Sequence, residues 1–140
     1  MIDWEEAKNH IIKTTIDKEK AKSLYLMLKE RKEAIKFLDP SRFTSIVVED
    51  YYEIIKEYLT ALMALDGCKS LSHEVLISYL KKFYKEFLEH EIIFIDEMRK
   101  LRNKINYDGF RIKPQYWELN KDNILKIIGK LDKILERKLK

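Results

Sequence analysis

The stretch that decides the fold is Ser45–Gly67, SIVVEDYYEIIKEYLTALMALDG. Its apolar residues recur at helical spacing and form two adjacent stripes, which are Val47, Tyr51, Ile54, Tyr58, Leu62 and Leu65, and Val48, Tyr52, Ile55 and Leu59. This spacing predicts a helix from about Ser45 to Leu65. A helix with so broad an apolar surface is expected to be central and covered on more than one side. The Asp66-Gly67 pair predicts a left-handed cap at its end.

Two further helices are predicted before this central one. Asp3 can cap the first, whose apolar positions are Trp4, Ala7, Ile11 and Ile12. The β-branched run Thr14–Ile16 before Asp17 predicts a break. The second helix then carries one apolar face, formed by Ala21, Leu24, Tyr25, Leu28, Ile35 and Leu38. It should end at Asp39-Pro40, because the residue before proline disfavours the helical conformation.

The segment after Gly67 predicts two or three helices. Ser70 or Ser72 can cap the next one, which carries Leu76, Leu80, Phe83 and Phe87. At Glu89-His90-Glu91 a kink, a short loop and an unbroken helix all remain open. The helical period continues to Asp108-Gly109 through Phe94, Met98, Leu101 and Ile105.

The remaining segment is predicted to be a loop followed by the last helix. Phe110 to Leu119, with Pro114 and Trp117, is interpreted as a loop packed down by its aromatic side chains. Asn120 should cap the last helix, whose apolar face is Ile124, Ile128, Leu131, Leu135 and Leu139.

The composition agrees with this helical pattern. Only three glycines and two prolines occur among 140 residues, so few obligatory turns are available for a many-stranded fold. A chain of 140 residues fits one domain whose core is large enough to be stable alone, and its 46% of hydrophobic residues agrees with a globular protein. The predicted fold class is therefore all-α, an antiparallel up-and-down bundle of five to six helices, in a single domain over residues 1–140.

Charge and cysteine content exclude some classes of function. The net charge of +4 permits binding to nucleic acid without requiring it, since both signs are interspersed along the chain. The single cysteine, Cys68, excludes an internal disulfide and a cysteine-built zinc site. No basic and apolar leader opens the sequence, and no apolar run approaches the ~20 residues of a membrane span. We therefore expect a soluble cytoplasmic protein that does not contact membranes.

Most familiar site motifs are absent, including a phosphate-binding glycine loop, His-Glu-x-x-His and Cys-x-x-Cys. The three histidines are scattered: His10 and His90 are predicted at the surface, and His73 in the first turn of a helix for packing or capping. One edge of the central helix is acidic, with Glu49, Asp50, Glu53 and Glu57. A carboxylate metal site would need a matching carboxylate-histidine group on another helix, and none is evident. We interpret this edge as a solvated face and predict neither metal nor cofactor.

The exception is Leu101–Gly109, LRNKINYDG, at the end of a predicted helix. At 100° per residue Arg102 and Asn106 share a face, and Arg99 lies next to it. An arginine among polar groups can hold a phosphate through two parallel hydrogen bonds. Taken alone, the residues favour a structural polar cluster in which Arg102 bonds to loop backbone or to a carboxylate of the central helix. Tyr107 would point elsewhere in a regular helix, but the turn-prone ending allows it to swing off.

Three stretches together resemble the HEPN domain family, over about residues 20 to 110. They are VVEDYYEIIKEYLTALMAL, DGCKSLSHEVLISYL and RNKINYDG. The resemblance implies a compact helical bundle of the small stand-alone prokaryotic kind. Such proteins often accompany a minimal nucleotidyltransferase, some act as RNase toxins, and two protomers commonly pair so that their motifs line one cleft.

Active relatives carry an arginine, usually with a polar residue after it, and then a histidine that is separated from the arginine by four to six residues. Arg102 and Asn103 match the first two, and the resemblance implies that Arg102 binds the scissile phosphate in metal-independent RNA cleavage. Tyr107 occupies the histidine position, and a tyrosine with a pKa of ~10 is a poor general base near neutrality. The Asn-Tyr-Asp ending is closer to the subgroup with an Arg-x-x-(Ala)-Asp-Tyr pattern, which resembles the substrate-binding half of kanamycin-type nucleotidyltransferases.

Three functional hypotheses follow. The first is a homodimeric binding module that pairs with a minimal nucleotidyltransferase, as in a toxin-antitoxin pair, and faces a nucleotide or RNA with Arg102, Asn103, Asn106 and Arg99. The second is a metal-independent endoribonuclease that uses Arg102 with Tyr107 or Asn106 as supporting catalytic groups. The third is a purely structural helical protein. The first is favoured, because the residue best suited to proton transfer is missing.

Overall fold

The computed structural model describes every residue from Met1 to Lys140 and confirms the all-α helical bundle. Its helices are α1 (Trp4–Ala7), α2 (Lys18–Ala34), α3 (Thr44–Asp66), α4 (His73–Phe83), α5 (Glu89–Asp108) and α6 (Pro114–Leu139). Two short strands, β1 (Ile12–Lys13) and β2 (Cys68–Lys69), form one antiparallel pair. None of the helices combines the length and apolar character that crossing a membrane would require.

Helix α3 is central, as its two apolar stripes predict. It packs against α2, α4, α5 and α6. Residues from both stripes are buried, including Val47, Tyr52, Ile55, Tyr58 and Leu62. They belong to one continuous cluster of 31 buried residues to which all five of these helices contribute. The bundle is therefore organised around this one helix.

The predicted caps and breaks are largely confirmed. The side chain of Asp17 accepts a hydrogen bond from the backbone N–H of Lys20 at the start of α2. Of the two candidate serines, Ser72 caps α4 by accepting from the N–H of Val75. Glu89–Glu91, where a kink, a loop and an unbroken helix were left open, form the first turn of α5. A short loop precedes them at residues 84–88, because α4 ends at Phe83, so Phe87 lies outside the helix that was predicted to carry it.

The first helix is shorter than predicted. It ends at Ala7, and a 3-10 turn leads into β1, so Ile11 and Ile12 lie outside the helix. Two backbone hydrogen bonds join the following segment to the end of α3, from Thr14 N–H to the Gly67 carbonyl and from Asp17 N–H to Ala64. The β-branched residues suit this extended backbone. Pairing of β1 with β2 is a tertiary contact, and it ends the first helix earlier than the sequence predicts.

The last helix is longer than predicted. It begins at Pro114, so the loop covers only residues 110–113, and Asn120 is not its cap. Proline suits the first helical position, where the missing N–H has no intrahelical acceptor. The amide of Asn120 instead donates to the Tyr116 carbonyl within the helix, at 2.8 Å. Trp117 is buried as expected, with its ring stacked on that of Tyr51 at a centroid distance of 5.2 Å.

Candidate functional site

The predicted site lies where the C-terminal half of α5 faces the N-terminal half of α3. The Nε of Arg102 donates to Oε1 of Glu53 at 3.1 Å. One turn away, Asn106 lies against Glu49. Glu49 and Glu53 are four residues apart on α3, and Arg102 and Asn106 are four residues apart on α5. Because the two helices run antiparallel, Arg102 faces Glu53 and Asn106 faces Glu49. We call these four residues the Arg102 cluster.

The amide of Asn106 links both sides of the Arg102 cluster. With its nitrogen directed toward α3, it donates to Oε2 of Glu49, and its oxygen accepts from Nε of Arg102 at 3.1 Å. Only this orientation satisfies both neighbours, which is the criterion by which an amide is oriented. The interpretation of Arg102 and Asn106 as a polar pair bonded to a carboxylate of the central helix therefore agrees with the structure.

The terminal nitrogens of Arg102 are less occupied than its Nε. Nη1 lies 3.5 Å from Oδ1 of Asn103, and Nη2 makes no hydrogen bond. The side chain is 23% exposed. Because Glu53 fixes the guanidinium through Nε, the planar group is oriented before any ligand arrives, and its free N–H groups can bind an anion.

The acidic edge of α3 is not the solvated face that was predicted. Glu53 also pairs with Lys56 at 3.0 Å, and Glu57 pairs with Arg31 of α2 at 2.7 Å. Burial, together with the charge of neighbouring Asp50, raises the pKa of Glu49, although Arg102 opposes the shift. These carboxylates therefore join helices through ion pairs that the sequence spacing alone did not reveal.

Arg99 is separated from the Arg102 cluster by its own ion pairs. Its Nε donates to Asp96 at 2.9 Å, and Nη1 lies 3.7 Å from Glu74 of α4. Only 11% of the side chain is exposed. Arg99 can therefore contribute positive charge to the region, but its guanidinium is already occupied.

Tyr107 does not join the Arg102 cluster. Helix α5 stays regular to Asp108, so the tyrosine does not swing off the helix end as the turn-prone sequence allowed. Its side chain is 78% exposed and makes no hydrogen bond. The structure therefore brings Arg102, Asn103 and Asn106 together and leaves the residue at the expected histidine position outside.

His73 lies nearer to the site than its sequence position suggests. It is the first residue of α4, and its Nδ1 is 3.1 Å from the hydroxyl of Tyr52 on α3. Burial lowers its pKa, and the charges of Lys56 and Arg102 lower it further. The imidazole is therefore neutral at neutral pH. This contact fits the predicted packing role. The next residue, Glu74, lies 3.7 Å from Nη1 of Arg99, so the start of α4 faces the Arg99 turn of α5.

Sequence reasoning allowed a carboxylate of the central helix as a partner of Arg102 but did not identify Glu49 or Glu53 as that partner, and it did not place Tyr52 in this region. One signal in the sequence could have indicated this pairing: Glu49 and Glu53 have the same four-residue spacing as Arg102 and Asn106. That spacing matches polar pairs only when the helices are antiparallel and in this register. No group of three or more His, Cys, Asp or Glu side chains converges to hold a metal ion.

Comparison with known proteins gives no relative: no family model, no curated protein and no solved structure matches this chain. The Arg102 cluster and its surroundings are therefore the observations that bear on function.

Proposed function

We propose that this chain is a HEPN-like helical binding module with a polar cleft that faces a nucleotide or RNA. Its partner would be a minimal nucleotidyltransferase, in a pair of the toxin-antitoxin type. The observation that carries the binding proposal is the state of Arg102, which is anchored through Nε by Glu53 while its terminal nitrogens contact no carboxylate.

A phosphate would bind the outer side of the guanidinium. Nη1 and Nη2 can each donate to one phosphate oxygen, and the anchored plane loses little freedom on binding. The amides of Asn103 and Asn106 lie beside the arginine, and each amide has both a hydrogen-bond acceptor and hydrogen-bond donors. Arg99 adds positive potential while it remains paired with Asp96.

A binding role is favoured over catalysis because the proton-transfer groups of the Arg102 cluster, Glu49 and Glu53, are engaged in holding its other side chains. Tyr107 is 78% exposed and forms no hydrogen bond with the cluster. A general base must come within hydrogen-bond reach of the proton that it removes. The carboxylates that do reach Arg102 and Asn106 are already engaged in fixing these side chains.

One observation keeps a second candidate, a metal-independent endoribonuclease. His73 contacts Tyr52, the neighbour of the Glu53 that anchors Arg102, and burial together with the charges of Lys56 and Arg102 lowers its pKa. A neutral imidazole is the common general base in proteins. In this alternative Arg102 would bind the scissile phosphate and His73, rather than Tyr107 or Asn106, would accept the proton.

RNA binding and cleavage can be measured together in chelator. The parent protein, Arg102→Ala and the control Arg111→Ala are mixed with fluorescently labelled single-stranded RNA, and anisotropy and RNA length are followed. Arg111 is a suitable control because it is exposed and forms no ion pair. We expect binding without cleavage, weakened about tenfold in Arg102→Ala and unchanged in Arg111→Ala.

The other outcomes are equally decisive. RNA cleavage that disappears in Arg102→Ala and in His73→Ala would favour the nuclease. Equal binding by the parent and Arg102→Ala would refute a role for this cluster. The proposed partner is tested separately, by purifying the tagged chain from its native host and identifying bound proteins by mass spectrometry. Recovery without any nucleotidyltransferase would count against the pair.

A further inference from the structure

A second polar site lies beside the Arg102 cluster and uses different cations. A cavity of about 250 Å³ opens between the start of α2, the middle of α3 and the connection from β2 to α4. Its polar lining comes from all of these elements and consists of Lys20, Lys56, Thr60, Lys69, Ser70 and His73. We call it the Lys69 cavity. Neither Arg102 nor Asn106 contributes to its wall.

The Lys69 cavity has an excess of positive charge. Lys20 and Lys69 are exposed and form no ion pair, whereas Lys56 is paired with Glu53 at 3.0 Å. No carboxylate lines the wall. Since like charges that line one concave space repel each other, two unpaired lysines beside a third that is paired make an anion a favourable occupant.

Neutral hydrogen-bond donors lie in the same wall. The Ser70 hydroxyl oxygen accepts from the N–H of Ser72, so the hydroxyl proton is free to donate. Helix α4, 11 residues long, begins at His73, and the first N–H groups of a helix have no intrahelical acceptor. The positive end of this helix therefore adds to the lysine charges.

The apolar part of the wall limits the access of water to one side of the Lys69 cavity. Met63 and Leu76, two buried core residues, and the exposed Leu71 form the apolar part of the wall of the Lys69 cavity. An anion held between such a surface and several donors is less screened than one in bulk solvent. The site thus combines charge, directed donors and partial enclosure, and these are the features of a built anion site.

We propose that the Lys69 cavity binds a phosphate dianion, either free or as a phosphomonoester. Lys20, Lys56 and Lys69 supply the compensating charge, and the Ser70 hydroxyl and His73 supply directed hydrogen bonds. A doubly charged ligand suits three ammonium groups of which one is partly neutralised by Glu53. The site does not rest on the proposed RNA or nucleotidyltransferase role, because Arg102 takes no part in it.

His73 provides a spectroscopic reporter for this site. From α3 it faces Tyr52, Lys56 and Glu53, and from α5 it is affected by Arg99 and Arg102. The surrounding cations disfavour the imidazolium, whereas a bound dianion would favour it. Occupation of the Lys69 cavity should therefore raise the pKa of His73.

The test is an NMR titration with inorganic phosphate at constant ionic strength, made up with chloride. We expect saturable shifts of the Ser70 and His73 signals, with a dissociation constant on the order of 1 mM or below. Lys20→Gln and Lys69→Gln should each weaken binding about threefold to tenfold, and the double variant more. Lys36→Gln, which changes an exposed unpaired lysine elsewhere, should bind like the parent.

Several results would overturn the site. These are linear shifts without saturation, shifts that chloride reproduces, and equal binding by the double variant whose helical circular dichroism is retained. Ribose 5-phosphate distinguishes the two sources: tighter binding than inorganic phosphate indicates a phosphomonoester, and equal binding indicates the free anion. Arg102→Ala should keep saturable phosphate binding and change its affinity less than the double lysine variant does, because Arg102 reaches the Lys69 cavity only through the shared partner Glu53. Loss of RNA binding with retained phosphate binding, or the reverse, therefore separates the proposed function from this site.

Discussion

At the residue scale, Asp66 shows how one carboxylate joins three parts of the bundle. It is the last residue of α3, and its Oδ2 accepts from the hydroxyls of Tyr79 at 2.8 Å and Tyr84 at 2.7 Å. Its Oδ1 accepts from Lys138 near the end of α6, at 2.7 Å. Burial, followed by the hydrogen bond to Asp66, raises the pKa of Tyr84. The sequence marked this aspartate only as part of a helix ending.

We predict that Asp66→Ala destabilises the protein by about 2–4 kcal/mol, because two buried tyrosine hydroxyls lose their acceptor. Chemical denaturation at neutral pH measures the change. Asp122→Ala removes an exposed aspartate of α6 that forms no ion pair and should change the free energy of unfolding by less than about 0.5 kcal/mol. Similar losses in both variants would contradict the role of Asp66.

Glu91 is a second residue whose role only the packing explains. It is fully buried, and its Oε1 accepts from the N–H of Leu88 at 2.9 Å and from Nζ of Lys130 at 2.6 Å. Burial by itself would raise the pKa of Glu91, but the bonds from Lys130 and Leu88 outweigh it, and the pKa is lowered. The carboxylate therefore caps α5 and attaches it to α6.

We predict that Lys130→Met costs about 3 kcal/mol at pH 7, because it leaves a buried carboxylate without its cation. In the parent, the lowered pKa gives a contribution that is present above the unfolded value of ~4.3 and lost as the pH falls through the folded value. In the variant the pKa should rise, so the destabilisation should shrink as the pH falls and Glu91 is protonated.

Urea unfolding curves measured between pH 7 and pH 4 test this dependence. Lys133→Met provides the control, since Lys133 is exposed on the same helix and unpaired. A destabilisation of Lys130→Met that stays constant over this range would show that Glu91 does not depend on the lysine charge.

At the scale of the elements, the three glycines have different roles. Gly67 ends α3 with φ +83°, and a Cβ there would lie 3.2 Å from the Thr14 carbonyl oxygen, so both conformation and space require glycine. Gly109 ends α5 with φ +64° in open space. Gly129 lies inside α6 with nothing near its Cβ position. The Asp-Gly pairs identified both helix ends correctly from the sequence.

We predict opposite effects for alanine at these positions. Gly67→Ala should cost about 2 kcal/mol, because a left-handed residue is strained and the β1 segment lies close. Gly129→Ala should stabilise the protein by about 0.5–1 kcal/mol, since alanine is the better helix former. Thermal unfolding of both variants measures the two shifts, and a loss of stability in Gly129→Ala would contradict the open surroundings of that site.

Element boundaries differed in how well the sequence predicted them. Those set by local chemistry, such as the Ser72 cap and the Asp39-Pro40 stop, agree with the structure to within a few residues. The start of α6 was misplaced because Pro114 was interpreted as a loop residue, although proline is equally suited to a first helical turn. Stacking of Trp117 on Tyr51 favours the longer helix, and this contact depends on a residue distant in sequence.

At the scale of the whole molecule, the proposed module is expected to be a homodimer with two Arg102 clusters at one cleft. Light scattering coupled to size-exclusion chromatography should give twice the chain mass of 17.0 kDa at micromolar concentration. The mass should be the same in Arg102→Ala, because the guanidinium is held within its own chain by Glu53. A monomer across this range would contradict the shared cleft.

The sequence by itself determined the helical class, the central position of α3 and the pairing of Arg102 with Asn106 on one face. These properties follow from periodicity and from residues within one or two turns of each other. Only the tertiary structure decided that Glu53 anchors Arg102, that Tyr107 stays outside, and that three lysines surround one cavity with His73. Such contacts join residues far apart in the chain, so they depend on the register and order in which the helices pack.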